Sequence, residues 1–308
     1  MYLDKKTYDE KEAPMVDYLN KNYEYCYLES MHYLNSCQNT DLIITGMSYG
    51  LDGVDSTLLK GNVLNFSMHS QDLYYDYLHI KKAVEDSQNS ISQCVLTLGY
   101  YSLFYDLSLS SSGWKCLKTY KPLFADVHHA KAVNIDMGND MCDDACTEFY
   151  HTFFNKNRSY YGPAIIREFT SIPITKKGGW INLDSKERDE AAFELAQKHN
   201  KHIKHKETFE ENKQILNNIF NFLKMNHIRV IIAILPFSKE YLKYIDSNYK
   251  TILLSVLEEI TEDMKVDFVD MNDMEYFSDE DFLDSDHLNR KGAIKATVLL
   301  DGVLNHLY

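Results

Sequence analysis

The sequence has no cluster of lysine and arginine residues. Its 32 Lys and Arg are outnumbered by 46 Asp and Glu, which gives a net charge of −14. Nucleic acids and anionic membrane surfaces bind proteins through clustered basic side chains, so this balance opposes both kinds of partner. The closest approach to a basic segment is the polar stretch 199–206, which we interpret as a solvated linker or helix face.

Long apolar runs are also missing. No stretch is long enough to cross a bilayer, and the charged residues 1–11 lack the apolar core of a secretory signal. We therefore expect a cytoplasmic protein with no integral membrane segment. The six cysteines are scattered without the paired spacing of a zinc site, which favours reduced thiols and predicts no metal centre.

The 308 residues are 44% hydrophobic, enough for a large core. Five short, β-prone segments are apolar on both faces, as in parallel sheets that are covered on both sides. They lie at residues 42–45, 62–66, 93–98, 229–235 and 266–270. Helical patterns are predicted around 15–31, after an N-cap at Ser70, after a capping box of Thr208 and Glu211, over 252–260 and over 294–304.

This alternation predicts a three-layer α/β/α, flavodoxin-like sandwich around a central, mainly parallel five-stranded sheet. The pattern fails from about residue 114 to residue 206, where polar and aromatic clusters replace it. We therefore predict a single domain over 1–308 with a mostly helical insertion at about 114–206, placed as a lid over a site.

The turn after the first predicted strand has the features of a nucleophile site. The strand ends at Gly46, and Ser48 follows with two further glycines close behind. A serine on a tight turn between a strand and a helix presents its hydroxyl clear of the backbone, and its own N–H can stabilise an oxyanion. Serine needs an imidazole to accept its proton and a carboxylate to orient that imidazole.

Asp284 and His287, near the other end of the chain, supply those groups. Ligands of open α/β sheets bind at the carboxyl ends of the strands, and both Ser48 and this segment follow a predicted strand. They should therefore lie at one edge of the sheet. Asp286 is an alternative carboxylate, but immediate neighbours point apart in an extended chain, so we favour Asp284.

Together these segments resemble the SGNH (GDSL-type) hydrolase superfamily. The resemblance rests on Gly46-Met-Ser48, the loop after the second strand, Gly99 after the third, and Asp284-x-x-His287. It implies Ser48 as nucleophile, His287 as general base and Asp284 as its orienting acid. It also implies oxyanion or substrate-binding roles near Ser67, His69, Gly99, Tyr100 and Tyr101.

The chain departs from the family pattern at three points. Met47 replaces the Asp of the first block, and the second block has no glycine. In the third block, Tyr101 stands where the family has an asparagine that donates to the oxyanion. Loss of such a donor costs roughly 3–4 kcal/mol of transition-state stabilisation. Tyr100 or Tyr101 could donate a phenol hydrogen instead.

We expect a serine esterase that acts on O-acyl esters, with carbohydrate-linked esters as the expected substrates and no cofactor. Two alternatives stay open: an O-acyltransferase of cell-envelope polysaccharide, and an inactive binding protein of the same fold. The α/β-hydrolase elbow fits less well, because several strands normally precede it and its acid lies on a separate loop. The glycine spacing matches neither a Rossmann nor a P-loop motif.

Overall fold

The computed structural model describes residues 39–85, 90–130, 179–262 and 264–305. The chain divides into two compact units. One comprises residues 39–105 and 168–308 and contains the sheet, and the other comprises residues 1–38 and 106–167. The predicted helix at 15–31 and residues 131–178 of the predicted insertion lie outside the described residues.

The sheet of the first unit has five parallel strands in the order β2-β1-β3-β4-β5. The strands are β1 (Leu42–Gly46), β2 (Val63–Asn65), β3 (Gln93–Leu98), β4 (Arg229–Ile234) and β5 (Val266–Asp270). The β-branched run of β4 is buried on both faces, as expected for a central parallel strand. The predicted five-stranded sheet is therefore confirmed.

Helices cover both faces of this sheet. The α-helices described in this unit are α1 (Ser48–Gly53), α2 (Leu73–Glu85), α3 (Ser185–His199), α4 (Lys206–Met225), α5 (Lys239–Tyr244), α6 (Asn248–Ile260) and α7 (Arg290–Leu304). α4 packs against α2 and α6 on one face, and α7 packs against α1 on the other. The arrangement is the predicted three-layer α/β/α fold.

Two helix starts differ from the sequence prediction. α2 begins at Leu73, and the cap acceptor is Asp72, whose Oδ1 accepts from the Tyr75 N–H at 3.2 Å; Ser70 is not the cap. α4 begins at Lys206, before Thr208, because a 3₁₀ helix over Asn200–Lys204 leads almost directly into it. The local cap signals were therefore overridden by the conformation of the preceding chain.

Within the predicted insertion, residues 179–206 belong to the unit that contains the sheet, and residues 114–130 belong to the other. In that second unit the described chain forms a 3₁₀ turn at Leu107–Leu109, a π-helical turn at Cys116–Tyr120 and a short helix at Lys121–Phe124. The single-domain organisation with a lid stays a prediction. Among the described helices, none is long and apolar enough to cross a membrane.

The sheet has a switch point between β1 and β3. From β1 the chain crosses to β2 on one side, and from β2 it returns to β3 on the other. Segments that follow β1 and β3 therefore diverge and leave a crevice at their carboxyl ends. Ser48 follows β1 and Tyr101 follows β3, so both residues lie at this crevice.

Gly46 closes β1 with a φ of 140°, a conformation that side chains rarely adopt. A Cβ at this position would also collide with the backbone carbonyl of Thr97 on the neighbouring strand. Glycine is therefore required here for two reasons, one conformational and one steric.

We expect Gly46→Ala to lower the free energy of unfolding by about 3 kcal/mol or more, as backbone strain adds to a clash that the sheet cannot relieve. Gly179→Ala is the matched control, because Gly179 also has a positive φ (87°) but nothing within 4 Å of a Cβ. That control should cost about 1 kcal/mol. Equal losses in urea denaturation would contradict the steric argument.

Candidate active site

Ser48 is held at the mouth of the crevice by the end of β1. The chain turns at Gly46, Met47 takes the extended N-cap conformation, and Ser48 opens the one-and-a-half-turn helix α1. The N–H of Ser48 therefore lies in a first helical turn, where backbone N–H groups have no intrahelical acceptor. The Ser48 hydroxyl oxygen lies 2.8 Å from Nε2 of His287, across 239 residues of sequence.

His287 sits on a tight turn just before α7. Oδ1 of Asp284 accepts the backbone N–H of Asp286 at 3.1 Å and that of His287 at 2.8 Å, which folds the turn around this carboxylate. The same carboxylate lies 3.0 and 3.1 Å from Nδ1 of His287. The structure thus brings together the three residues singled out in the sequence, with Ser48 at Nε2 of His287 and Asp284 at Nδ1.

A second carboxylate also reaches His287. Oδ1 of Asp286 lies 3.1 Å from the same Nδ1, although the sequence analysis expected Asp286 to point away. That expectation is wrong because the segment is a closed turn and not an extended chain. The Asp286 side chain is 3% exposed, whereas that of Asp284 is 46% exposed. Asp286 is therefore the buried partner of the ring.

Two tyrosines connect Asp286 to the other side of the crevice. Tyr49, the residue after Ser48, donates its hydroxyl hydrogen to Oδ2 of Asp286 at 3.1 Å. The hydroxyl oxygens of Tyr49 and Tyr101 are also 3.1 Å apart. Because Tyr49 gives its only hydrogen to the carboxylate, Tyr101 must be the donor in the second contact. The chain of contacts runs from Tyr101 through Tyr49 and Asp286 to His287.

These carboxylates control the charge of the imidazole. Burial alone would lower the pKa of His287, but the charge of Asp286 and the hydrogen bond with Asp284 hold that pKa well above its usual range. In turn, although burial raises the pKa of Asp286, the facing imidazolium holds it well below its usual range. The pair therefore favours a protonated His287 beside an ionised Asp286.

A pocket of about 310 Å³ opens above these residues. One wall consists of aromatic and imidazole rings, which belong to Tyr101, Tyr105, His199 and His202. The ring of Tyr101 stacks on His199 at a centroid distance of 4.3 Å and lies 5.7 Å from His202. Burial lowers the pKa of both histidines to about 4, so both rings are neutral at pH 7.

The interpretation of residues 199–206 as a solvated segment is wrong for His199 and His202. His199 ends α3, and His202 lies in the 3₁₀ helix that follows. Both residues line the pocket because this segment packs against Tyr101, which follows the carboxyl end of β3. No motif or spacing in the sequence marks them, since their neighbours are lysines and they sit far from any predicted strand end.

The predicted oxyanion residues divide into two groups. His69 and Tyr101 line the pocket. Ser67, Gly99 and Tyr100 do not, and each has a different partner. The Ser67 N–H donates to Asn65 Oδ1 at 2.9 Å, the Gly99 N–H donates to Ser102 Oγ at 2.9 Å, and the Tyr100 hydroxyl donates to Asp270 Oδ2 at 2.7 Å. The N–H groups of Ser67 and Gly99 and the hydroxyl of Tyr100 are therefore already paired within the fold.

Two groups of side chains here have donor atoms close enough to bind a metal ion. They are Asp284, Asp286 and His287, and Asp52, His69 and His287, with ligand atoms within 4.8 Å of one another. A metal in the first group would occupy the Nδ1 side of His287 and separate the ring from its carboxylates. A metal in the second would compete with Ser48 for Nε2. The first ion would therefore disrupt the histidine–carboxylate contacts, and the second would disrupt the serine–histidine contact.

The solved structures that match this chain resemble it in fold, at low sequence identity. A family model that carries no functional description matches residues 181–307. No curated protein matches the chain. One matching solved structure is a GDSL-like lipase from Bacteroides thetaiotaomicron VPI-5482. It has 10% identity and a TM-score of 0.42, covering 92% of this chain and 100% of that one.

Two further solved structures are similar at the same level. A candidate platelet activating factor from Streptococcus pneumonia has 12% identity and a TM-score of 0.45, covering 98% of this chain and 100% of that one. A candidate acylhydrolase from Bacteroides fragilis NCTC 9343 has 12% identity and a TM-score of 0.43, covering 92% and 98%. At these identities and TM-scores, the likeness assigns no function to this chain.

We expect Asp286→Asn to lower the pKa of His287 by more than Asp284→Asn does. The buried charge of Asp286 is the largest influence that raises this pKa, whereas Asp284 is half exposed and screened by water. Titration of the His287 ring C–H signals by NMR in the wild type and both variants measures the two shifts. A larger shift in Asp284→Asn would show that the exposed carboxylate dominates.

Proposed function

We propose that this protein is a serine hydrolase of acyl esters, with Ser48 as nucleophile, His287 as general base and acid, and Asp284 as orienting acid. The observation that carries the proposal is the 2.8 Å contact between Ser48 Oγ and His287 Nε2, with a carboxylate on the opposite ring nitrogen. Both distances are within hydrogen-bonding reach, which is the geometric requirement for such a base.

In the first half-reaction, Ser48 Oγ attacks the acyl carbon while its proton passes to Nε2 of His287. The electron pair of the carbonyl bond moves onto oxygen and forms an oxyanion. When the tetrahedral intermediate collapses, His287 returns the proton to the departing alcohol. The products of this step are the alcohol and a Ser48 acyl-enzyme.

In the second half-reaction, His287 removes a proton from water, and the hydroxyl oxygen attacks the acyl carbon. Collapse of this intermediate returns the proton to Ser48 and releases the carboxylic acid. Throughout, Asp284 holds the ring orientation through Nδ1, and the nearby negative charge stabilises the imidazolium that forms. The two half-reactions balance with the ester and water as the only reactants.

The pocket wall supports a carbohydrate-linked ester as the substrate. Its four rings carry no charge at neutral pH and present flat faces with hydroxyl and imidazole edges. Aromatic faces pack against the C–H faces of sugars, and the polar edges can hydrogen bond to their hydroxyls. We therefore propose that the alcohol portion of the ester is a sugar.

A fluorophosphonate probe should label the wild type, and labelling should be lost in Ser48→Ala and in His287→Ala. Turnover of short-chain acyl esters should fall by about 10⁴-fold or more in both variants, because the two residues act as one unit. Ser56→Ala is a control, since this half-buried serine lies on the 3₁₀ turn that follows α1 and is not among the residues that line the pocket. A folded wild type that neither reacts with the probe nor hydrolyses esters would refute the proposal.

The acid limb of the kcat/KM profile should lie above pH 6.5, the ordinary pKa of histidine. His287 must be neutral to accept the Ser48 proton, and its raised pKa means that activity grows only as pH rises through that higher value. In Asp286→Asn the limb should move to lower pH. An acid limb below pH 6.5 in the wild type would contradict the proposed charge state.

A further inference from the structure

The proposed reaction needs hydrogen-bond donors for the oxyanion, and the tyrosines of the third block cannot supply one. Tyr100 donates its hydroxyl hydrogen to Asp270 Oδ2 at 2.7 Å. Tyr101 donates its hydrogen to Tyr49, because Tyr49 gives its own to Asp286. A phenol has only one hydrogen, so both groups are already committed. The asparagine of the family pattern therefore has no replacement at its own sequence position.

His199 lies beside that position. Its ring stacks on the ring of Tyr101 at 4.3 Å with an interplanar angle of 28°, and it lines the same pocket as Ser48 and His287. Burial lowers the pKa of His199, and the charges of Asp286 and His287 shift that pKa in opposite directions.

The tautomer of His199 follows from its partner. Nδ1 lies 2.6 Å from the hydroxyl of Tyr241, whose side chain is 1% exposed. Within the described part of the chain, the Tyr241 hydroxyl has no second hydrogen-bond partner. If Nδ1 carried the hydrogen, the phenol hydrogen would be buried without an acceptor, which costs about 1–3 kcal/mol. The phenol therefore donates to Nδ1, and the single hydrogen of the neutral ring is on Nε2.

The backbone that carries this ring is also held by hydrogen bonds. The backbone carbonyl of His199 accepts the hydroxyl of Tyr249 at 2.8 Å. The neighbouring Asn200 side chain donates to the Tyr244 carbonyl at 2.9 Å and accepts the Asp246 N–H at 2.8 Å. Nε2 has no partner among the described residues, and it is not sealed from solvent. The result is a neutral N–H donor on a ring that lines the pocket.

We propose that the Nε2–H of His199 is an oxyanion donor of this site and takes the role that an asparagine side chain has in the family pattern. This assignment rests on the proposed serine hydrolase function. As Ser48 Oγ forms its bond to the acyl carbon, the carbonyl electron pair moves to oxygen, and that oxygen accepts a hydrogen bond from Nε2–H. No proton is transferred from His199, whose charge does not change.

The test compares His199→Phe, which keeps a stacking ring without a donor, with His199→Gln, which keeps an N–H donor near the position of Nε2. For a short-chain acyl ester, kcat in His199→Phe should fall by about 10² to 10³-fold with little change in KM, because the bond strengthens only in the transition state. His199→Gln should recover most of that loss. Circular dichroism and thermal denaturation verify folding, and His199→Ala replaces the phenylalanine variant if that variant does not fold.

A thionoester substrate adds a readout that a structural role would not affect. Sulfur accepts hydrogen bonds weakly, so the wild type should prefer the oxygen ester strongly, and this preference should shrink in His199→Phe. An active wild type whose kcat and oxygen preference are unchanged in His199→Phe would overturn the assignment and leave the serine hydrolase intact. A wild type that neither hydrolyses esters nor reacts with a fluorophosphonate would overturn both.

Discussion

The contact between Ser48 Oγ and His287 Nε2 is the interaction on which the rest of the site depends. It joins segments 239 residues apart, so it exists only because the sheet places the end of β1 beside the turn before α7. The turn is fixed in several ways: Asp284 accepts two of its backbone N–H groups, and the Ser285 carbonyl accepts the Ser238 N–H at 3.0 Å. The relative placement of Ser48, His287 and Asp284 is therefore a property of the fold and not of local sequence.

The paired carboxylates around His287 produce opposing effects. In the proposed mechanism, a negative charge beside Nδ1 stabilises the imidazolium that forms when Ser48 loses its proton. The same charge raises the pH below which the ring is already protonated and cannot act as a base. Tyr49 moderates this by donating to Asp286, and Tyr101 extends the network to the pocket wall. Hydrogen bonds and close ionic contacts therefore connect His287 to Tyr101 in the pocket wall.

The sequence predicted the elements that obey local rules. Apolar segments bounded by turn residues identified all five strands, and the chemistry of Ser48 and Asp284-x-x-His287 identified three groups that meet in space. Prediction failed where a tertiary contact decides the outcome. Asp286 turns inward because its segment is a closed turn, and Tyr100 is captured by Asp270 on a different strand. His199 reaches the pocket because of the way α3 packs, and the hydrophobic periodicity of the sequence does not predict that packing.

The pocket is assembled from two kinds of segment. Ser48, Tyr101 and His287 follow strands or precede α7, so they are tied to the central sheet. His199 and His202 come from the end of α3 and the 3₁₀ helix after it, which are held by polar contacts to α5 such as Lys243 Nζ to Asp189 Oδ1 at 2.8 Å. The proposed oxyanion donor therefore comes from α3 and not from a strand end, so sequence changes in α3 would alter the reaction as well as what the pocket accepts.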